Sequence, residues 1–375
     1  MPTALLAGAF GQGNLGDDAL VESFVSALPE WQLIPTAADP SAVGPTHRPA
    51  VASRDSMAVA RRALGCDAVV VGGGTVFKRL HPSTDRRPLA LLANAALLVA
   101  ASSARRRRVA MLGVGAGRLE GPGARHLARY LVRHSHLVVL RDEESAAQLS
   151  AAGVPGPFRV GADPAWTLLR PPEHSRPRSA RSVLVIPSAW ATAGDGWRGM
   201  VDRLAETLGR LHASGVELVV QSWQRRVAGS AGDEPIVAEL VRRLGPAVEV
   251  APTPGSLPEA VTTMHQVGAV LTYRFHGLVA AGAAGVPALA ITHEAKLRGL
   301  ARRLGQRMSP PAFEPDILAE DVTAALGSAG APPAVVKEEI ARAEEGFRLL
   351  RVVLAEGTTP EAETVGRLPL APWPR

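Results

Sequence analysis

Short apolar runs alternate with longer helical stretches along the first half of the chain. The runs predict strands at residues 3–9, 31–35, 67–72, 108–114 and 136–141. Between the later runs, residues 54–64 and 124–135 carry apolar side chains at helical spacing and predict helices. Because strands that alternate with helices form parallel sheets covered by those helices, this half predicts a doubly wound α/β domain.

The alternation stops at residues 168–182, LLRPPEHSRPRSARS, which have no apolar period and predict a linker. It then restarts with predicted strands at 182–187, 216–222, 248–252, 268–273 and 287–292. The helices predicted for this half cover 198–213, 233–244, 256–266, 276–285, 294–305, 316–327 and 333–356. The second half therefore also predicts a doubly wound domain.

Together the two patterns predict an α/β protein of two Rossmann-like domains that face a cleft, with the site at the carboxyl ends of the strands. The predicted boundaries are 1–170 for the N-terminal domain, 171–182 for the linker, 183–356 for the C-terminal domain and 357–375 for a tail. A length of 375 residues agrees with two domains.

Composition narrows the classes of partner. Hydrophobic residues make up 46% of the chain and charged residues 20%, as in globular proteins. The net charge of +6 suits an anionic substrate. The basic residues are scattered and form no nucleic-acid-binding module, so we expect no nucleic acid partner.

The cysteine content and the lengths of the apolar runs indicate where in the cell the protein is expected. The single Cys66 excludes an intrachain disulfide framework and a thiolate metal cluster. The chain enters a predicted strand without a basic segment before it, which disfavours a secretory signal. Residues 89–104 are apolar but too short for a membrane span, so they predict a buried helix and no transmembrane segment. The four arginines at 105–108 predict a solvated helix end or, alternatively, a peripheral membrane contact. We expect a cytoplasmic protein.

The first glycine loop, GQGNLG at residues 11–16, has the G-x-G-x-x-G spacing of a dinucleotide fingerprint, and Asp39 lies where such sites hold the ribose. However, Ala9 and Phe10 separate the apolar run from Gly11. Asp17 and Asp18 follow at the helix start, where they would repel a pyrophosphate. A tight turn with an aspartate capping the helix explains much of the pattern.

Two further glycine loops follow predicted strands. One holds Gly72, Gly73 and Gly74 before Thr75, and the other holds Gly113, Gly115 and Gly117. Glycines at strand ends let backbone N–H groups approach a ligand closely. We expect the three glycine loops together to form the floor of a substrate site.

Basic side chains follow three other predicted strands. Arg141 ends one strand, before Asp142, Glu143 and Glu144, and a salt bridge to these acids and a role in substrate binding both remain open. Arg274 and His276 lie two apart where a strand meets a small-residue helix, so in an extended segment they would share one side.

The N-terminus of that helix, residues 277–285, is a natural anion site, and a histidine there can exchange protons near neutral pH. Lys296 follows the next strand and could reach a phosphate or remain solvated. We favour a functional role for Arg274 and His276 over a histidine packed in a core. The other histidines show no metal-ligand spacing, so we expect no structural metal.

Four segments together resemble the polysaccharide pyruvyltransferase family. They are GQGNLGDDAL (11–20), VVVGGGTVF (69–77), LRDEESAAQL (140–149) with GADPAW (161–166), and YRFHGLVAAGAAGVPALAI (273–291) with its downstream lysine. The resemblance implies a GT-B-like two-domain fold. It also implies transfer of a pyruvyl group from phosphoenolpyruvate to a sugar, usually as a cyclic ketal, in polysaccharide and cell-envelope biosynthesis.

By position, the resemblance implies that His276 is the acid/base group and that Arg141 and Arg274 hold the donor's carboxylate and phosphate. The remaining candidate substrate-binding residues are Gly13, Asn14, Asp17, Asp18, Gly73, Gly74, Thr75, Gly115 and Lys296. The implied mechanism needs no metal and no cofactor. The chain departs from the family at His293, Glu294 and Ala295, where a tyrosine and an aspartate-proline are common before the lysine.

Three hypotheses follow for the function. The first is a pyruvyltransferase that uses phosphoenolpyruvate and a sugar or glycan acceptor: a cell-wall unit, a lipid-linked intermediate or a small metabolite. The second is a GT-B glycosyltransferase that uses a nucleotide-sugar donor, and the third is a non-catalytic sugar- or anion-binding relative.

Overall fold

The computed structural model describes residues 1–41, 50–53, 55–80, 87–170, 179–189, 196–227 and 232–356. By internal contacts the chain divides into two units. Unit 1 comprises Met1–Gln12, Leu20–Thr167 and the described part of Glu339–Arg375, and unit 2 comprises Gly13–Ala19 and Leu168–Glu338. Most of the predicted linker and the whole predicted tail lie outside the described residues, except that 179–182 are already strand.

Unit 1 is built on a parallel sheet. Its strands are β1 (Thr3–Phe10), β2 (Gln32–Ala37), β3 (Val51–Ala52), β4 (Ala68–Gly72), β5 (Thr75–Phe77), β6 (Arg108–Ala116), β7 (Leu137–Leu140) and β8 (Arg159–Val160). The order is β3-β2-β1-β4-β6-β7-β8, and β5 pairs with β6. All five residues of β4, AVVVG, are buried, as expected for a strand covered on both faces.

Helices cover this sheet because each buries one apolar face. They are α1 (Leu15–Ala27), α2 (Ser56–Gly65), α3 (Ala90–Ala104), α4 (Pro122–His134) and α5 (Glu143–Ala151). In α4 the buried residues are Ala124, Ala128, Leu131 and Val132, which recur at helical spacing. The last helix, α12 (Pro333–Glu356), also contributes to unit 1 from Glu339 onward.

Unit 2 repeats the architecture. Its strands are β9 (Ser179–Ile186), β10 (Glu217–Gln221), β11 (Val248–Ala251), β12 (Val267–Thr272), β13 (Ala288–Ile291) and β14 (Arg307–Ser309), in the order β11-β10-β9-β12-β13-β14. Its helices are α6 (Gly196–Ala213), α7 (Glu234–Leu244), α8 (Leu257–Met264), α9 (Phe275–Ala284), α10 (Ala295–Arg303) and α11 (Pro315–Leu326).

The division of the chain differs from the predicted boundaries in two places. The predicted N-terminal domain ran unbroken through residue 170, yet Gly13–Ala19 belong to unit 2. The predicted C-terminal domain ran to residue 356, yet the chain from Glu339 packs with unit 1, where Phe347 meets Phe24 edge to face at 5.0 Å. Both differences arise from contacts between segments that are distant in sequence.

Helix α3 occupies the long apolar run and buries Leu92, Leu98 and Val99, as predicted. Among the described residues, none of the helices has the length and apolar content needed to cross a membrane.

Candidate active site

The candidate site lies in unit 2, where the order of its sheet reverses direction. Strands β9 and β12 are neighbours, and successive strands run outward from them toward opposite edges. In open parallel sheets, ligands bind beside the carboxyl ends of the strands at this point of reversal. The chain leaves β12 at Tyr273, so Arg274 and His276 lie at this position.

Arg274 is the N-cap residue of α9, and its guanidinium is held by hydrogen bonds on every nitrogen. Nε donates to the Pro187 carbonyl at 3.2 Å, Nη1 to Asn14 Oδ1 at 3.4 Å, and Nη2 to Gln224 Oε1 at 3.1 Å and to both Asp233 oxygens at 2.5 Å. The side chain is 8% exposed. Its position is therefore determined by the surrounding protein before any ligand binds.

Asp233 is the carboxylate that organises this cluster. It is fully buried and also accepts the backbone N–H groups of Trp223 at 3.3 Å and Gln224 at 3.1 Å. A further bond at 3.4 Å comes from the N–H of Ala189. One carboxylate thus joins the loops that follow β9, β10 and β12, and these are the loops beside the point of reversal.

His276 lies in the first turn of α9 and is 9% exposed. Its ring packs against the backbone of Gly16, where an added Cβ would lie 1.9 Å from Nδ1. Only glycine therefore fits at position 16 with the histidine in this place. Arg274 and His276 do not lie in one extended segment, because α9 begins at Phe275, between them.

The turn of the first glycine loop carries residues into unit 2. Asn14 forms an isolated antiparallel bridge with Gln224, and Arg225 N donates to the Gly13 carbonyl at 2.8 Å. Gly13 has a φ of 71°, and a Cβ on it would lie 2.5 Å from the Arg225 carbonyl oxygen. This turn therefore needs glycine for both conformation and space.

Asn14, rather than an aspartate, makes the capping contact at the start of α1. Its Oδ1 accepts from Gly16 N at 3.2 Å, while its Nδ2 donates to Asp17 at 2.9 Å. Asp17 and Asp18 lie in the first helical turn. The expected aspartate cap is thus replaced by a side chain that also contacts Arg274.

Burial raises the pKa values of both aspartates. Burial raises the pKa of Asp17, and the charges of His276, Lys296 and Arg274 and the Asn14 hydrogen bond offset part of that rise. Burial, with a smaller contribution from the Asp17 charge, raises the pKa of Asp18 to about 6. Paired carboxyls with raised pKa values are typical of groups that hold or exchange protons near neutral pH.

Lys296 lies in the first turn of α10 and forms a 2.6 Å ion pair with Glu294. Burial lowers the pKa of the neighbouring His293, whose Nδ1 lies 3.2 Å from the Ile291 carbonyl. The charges of this loop and of Arg274 act on one another's neighbours: Lys296 lowers the pKa of Asp17, and Arg274 lowers the pKa of His293. The loop that departs from the family pattern therefore lies at the same site.

The structure brings Asn14, Asp17, Arg274, His276 and Lys296 together within unit 2. Carboxylates accompany the cations, since Arg274 pairs with Asp233 and Lys296 with Glu294. The site is therefore a network of matched charges rather than the purely basic cluster that an anionic substrate suggests.

Arg141 directly follows β7 in unit 1 and is 4% exposed. Its Nε donates to Asp142 at 3.0 Å, and Nη1 is 4.0 Å from Asp163. A Cβ on Gly115 would lie 2.4 Å from Nη2, so the guanidinium lies on this glycine. The salt bridge left open by the sequence is present.

The glycine loops of unit 1 meet beside Arg141. Gly115 N donates to the Gly74 carbonyl at 2.7 Å, and Thr75 pairs with Gly115 through β5 and β6. Gly73 and Gly74 have φ values of 67° and 70°, and none of the described residues places an atom within 4 Å of a Cβ added to Gly74. Backbone at the ends of β4 and β6 is thus open to close approach at Gly74.

A family model described as polysaccharide pyruvyl transferase matches residues 14–294. The chain belongs to this family. A search of curated proteins finds no match. The matched range of the polysaccharide pyruvyl transferase model includes Arg141, Arg274 and His276 and ends two residues before Lys296.

Solved structures show that this chain has a GT-B-like fold, as predicted. UDP-GlcNAc 2-epimerase from Neisseria meningitidis bound to UDP-GlcNAc has a TM-score of 0.61 at 10% identity, covering 94% of this chain and 99% of its own. The UDP-GlcNAc 2-epimerase from Methanocaldococcus jannaschii, solved with UDP-GlcNAc and UDP, has a TM-score of 0.60 at 13% identity, and the match covers 94% of this chain and 99% of the epimerase. MurG from Acinetobacter baumannii has a TM-score of 0.51 at 13% identity, and the match covers 94% of this chain and 99% of MurG.

Sequence reasoning missed two residues of this site, Asp233 and Gln224. Asp233 directly precedes the predicted helix α7, where an aspartate is normally explained as a cap. In the structure it makes no side-chain cap bond and points its carboxylate at Arg274 instead. The sequence did carry one signal for this role: an aspartate at a predicted helix start that follows a predicted strand can face the carboxyl ends of the strands.

Proposed function

We propose that this transferase moves the pyruvyl group of phosphoenolpyruvate onto two hydroxyls of a sugar or glycan as a cyclic ketal, in the cytoplasm, during polysaccharide synthesis for the cell envelope. The observation that carries the proposal is the position of His276 and Arg274 at the N-terminus of α9. A helix N-terminus and a held arginine suit an anionic donor, and a histidine beside them suits proton transfer.

The reaction begins with proton transfer to the donor. His276 gives a proton to the methylene carbon of phosphoenolpyruvate, which becomes a methyl group, and the adjacent C2 becomes electrophilic. One sugar hydroxyl bonds to C2 and loses its proton, which restores His276. The C2–O bond to phosphate breaks with its electron pair on phosphate, and a second hydroxyl bonds to C2 as its proton leaves. One ketal and one inorganic phosphate result.

Arg274 contributes charge at a fixed position. Asp233 and Gln224 hold Nη2, whereas the one contact of Nη1 among the described residues is the 3.4 Å bond to Asn14. We assign Nη1 and the N–H groups of the first α9 turn to an anionic group of the donor. Such groups stabilise developing negative charge without rearranging during the reaction.

The remaining residues are assigned to substrate contacts within their own units. In unit 2, Asn14, Asp17 and Asp18 offer amide and carboxyl groups to acceptor hydroxyls, Gly13 shapes their turn, and Lys296 offers a cation. In unit 1, Arg141 offers a guanidinium beside Gly115, while Gly73, Gly74 and Thr75 form the adjoining loop.

The test is incubation with phosphoenolpyruvate and a panel of UDP-sugars and methyl glycosides that carry free diols. We expect acceptor-dependent release of inorganic phosphate, and an acceptor mass increased by one pyruvate less one water. His276→Gln should lower turnover by at least about a hundredfold while phosphoenolpyruvate still binds. The matched control is His212→Gln, an exposed residue at the end of α6, which should turn over at the wild-type rate.

Other results would overturn the proposal. Release of UDP from a UDP-sugar, with no phosphate released from phosphoenolpyruvate, would indicate a glycosyltransferase. Tight binding of sugars without turnover of either donor would indicate a binding protein. Full turnover by His276→Gln would remove His276 as the acid.

A further inference from the structure

Three neighbouring helices of unit 1 share one outer surface. Helix α3 packs between α2 and α4, and all three bury side chains in the same core against the sheet. Their buried members include Val59, Leu92, Val99, Ala128 and Leu131. The opposite sides of the three helices are exposed, and we call this surface the arginine face.

The arginine face contains basic but no acidic side chains. Its exposed arginines are Arg61 and Arg62 on α2 and Arg125, Arg129 and Arg133 on α4. The sequences of α2, α3 and α4 contain neither aspartate nor glutamate, whereas the chain's average would place about three or four there. Arg105 and Arg106, both exposed, add charge at the end of α3.

These arginines are not neutralised within the part of the chain that the structure describes. Arg61, Arg62, Arg125 and Arg133 form no ion pair there, and Arg129 donates only to the Gly153 carbonyl at 3.0 Å. Nearby acids are engaged elsewhere: Asp55 caps α2, Asp67 pairs with Arg107, and Glu120 pairs with Arg118. The face therefore presents uncompensated positive charge.

Between the two arginine rows, α3 exposes an uncharged surface. Its outward residues are Ala93, Asn94, Leu97 and Ala100, and Leu97 is 44% exposed. On α2, Met57 is 60% exposed beside the arginines. Exposed apolar side chains beside arginines are costly in water, and Leu97 and Met57 gain by contact with a surface that is both anionic and apolar.

We propose that the arginine face docks unit 1 onto the surface of a bilayer that contains anionic lipid. The headgroups supply negative charge to the two arginine rows, and the boundary of the acyl region accepts Leu97 and Met57. A nucleic acid backbone would bind the arginines equally well but would give Leu97 and Met57 no apolar surroundings. This inference stands on unit 1 alone and is independent of the proposed function.

The test is co-sedimentation of the full chain with vesicles of phosphatidylcholine, with and without one-third phosphatidylglycerol. We expect binding only with phosphatidylglycerol and a fall in binding as salt is added, since salt screens exposed charges. Arg61→Ser combined with Arg133→Ser should weaken binding roughly tenfold. Arg302→Ser combined with Arg307→Ser removes the same charge from exposed positions of unit 2 and should leave binding unchanged.

A second variant separates a bilayer from other polyanions. Leu97→Gln keeps the charge and helix and should weaken vesicle binding while preserving its salt dependence. Equal weakening by both double variants would show general attraction of a basic protein. Binding to polyuridylate as tight as to vesicles, with no effect of Leu97→Gln on either, would indicate a nucleic acid surface. Both results, and an absence of vesicle binding, would overturn the proposal; unchanged thermal unfolding confirms that the variants are folded.

Discussion

Asp18 shows how burial makes the ionisation of a single carboxyl costly. Its carboxyl lies in the first turn of α1, where negative charge is normally favourable. Burial and the neighbouring Asp17 outweigh that benefit and raise its pKa from 3.8 to about 6. The folded chain therefore binds a proton at Asp18 more tightly than the unfolded chain does.

The sign of the resulting pH dependence follows from linkage. Because the folded pKa is the higher one, the penalty of ionising Asp18 is absent below about pH 4 and grows as the pH rises through about 6. Asp18→Asn removes that penalty, so we expect stabilisation on the order of 1–2 kcal/mol at pH 8 and none at pH 4. Urea unfolding at the two pH values measures the difference.

Glu22→Gln is the matched control, since Glu22 is exposed on the same helix and its substitution should leave stability unchanged at both pH values. Destabilisation by Asp18→Asn at pH 8 would contradict the argument, because it would mean that the ionised carboxyl stabilises the fold.

At the scale of elements, Asp233 connects three strand-end loops through one carboxylate. It joins the backbone of the loops after β9 and β10 to Arg274 after β12. Both members of the Arg274–Asp233 ion pair are buried, so each charge is compensated by the other rather than by water. Removing one member of such a pair leaves the other charge uncompensated in the interior.

We therefore expect Asp233→Asn to destabilise the protein by about 3 kcal/mol, although the side chain keeps its size. Asp202→Asn breaks the exposed pair with Arg243 and should cost less than about 1 kcal/mol. The double variant Asp233→Asn/Arg274→Gln should lose less than the sum of its single changes. Urea unfolding of the four variants provides the measurement, and additive losses would show that the two residues are uncoupled.

At the scale of the whole molecule, three segments of the chain form unit 1: Met1–Gln12, Leu20–Thr167 and the described part of the chain from Glu339. Phe347 of α12 is 1% exposed and packs on Phe24, and Gly346 lies against Leu112, so the last helix completes the core of unit 1. Stability of unit 1 thus depends on residues more than three hundred positions away in sequence.

Phe347→Ala should destabilise unit 1 by about 3–5 kcal/mol because it opens a cavity in that core. Hydrogen exchange followed by mass spectrometry should then show lost protection in peptides from residues 20–167 and retained protection in 196–330. Leu318→Ala, at a buried position of α11 in unit 2, should give the reverse pattern. Loss of protection in unit 2 alone after Phe347→Ala would contradict the assignment of α12.

The sequence by itself determined the long elements and the fold class. Runs such as DAVVVG and RVAMLGV match β4 and β6 closely, because a strand covered by helices must be apolar throughout and that property is local. The motifs also brought Arg274, His276 and Lys296 forward as candidates. The short strands β3, β5, β8 and β14 were missed, since two or three residues carry no period.

Only the tertiary structure decided which distant segments share a unit. In the structure Asn14 pairs with Gln224, Asp233 accepts hydrogen bonds from Arg274, and α12 packs with unit 1 from Glu339 onward. Such pairings depend on shape and charge matched between residues that are far apart in the chain. A local pattern of polar and apolar positions specifies that a face is buried, but not which segment buries it.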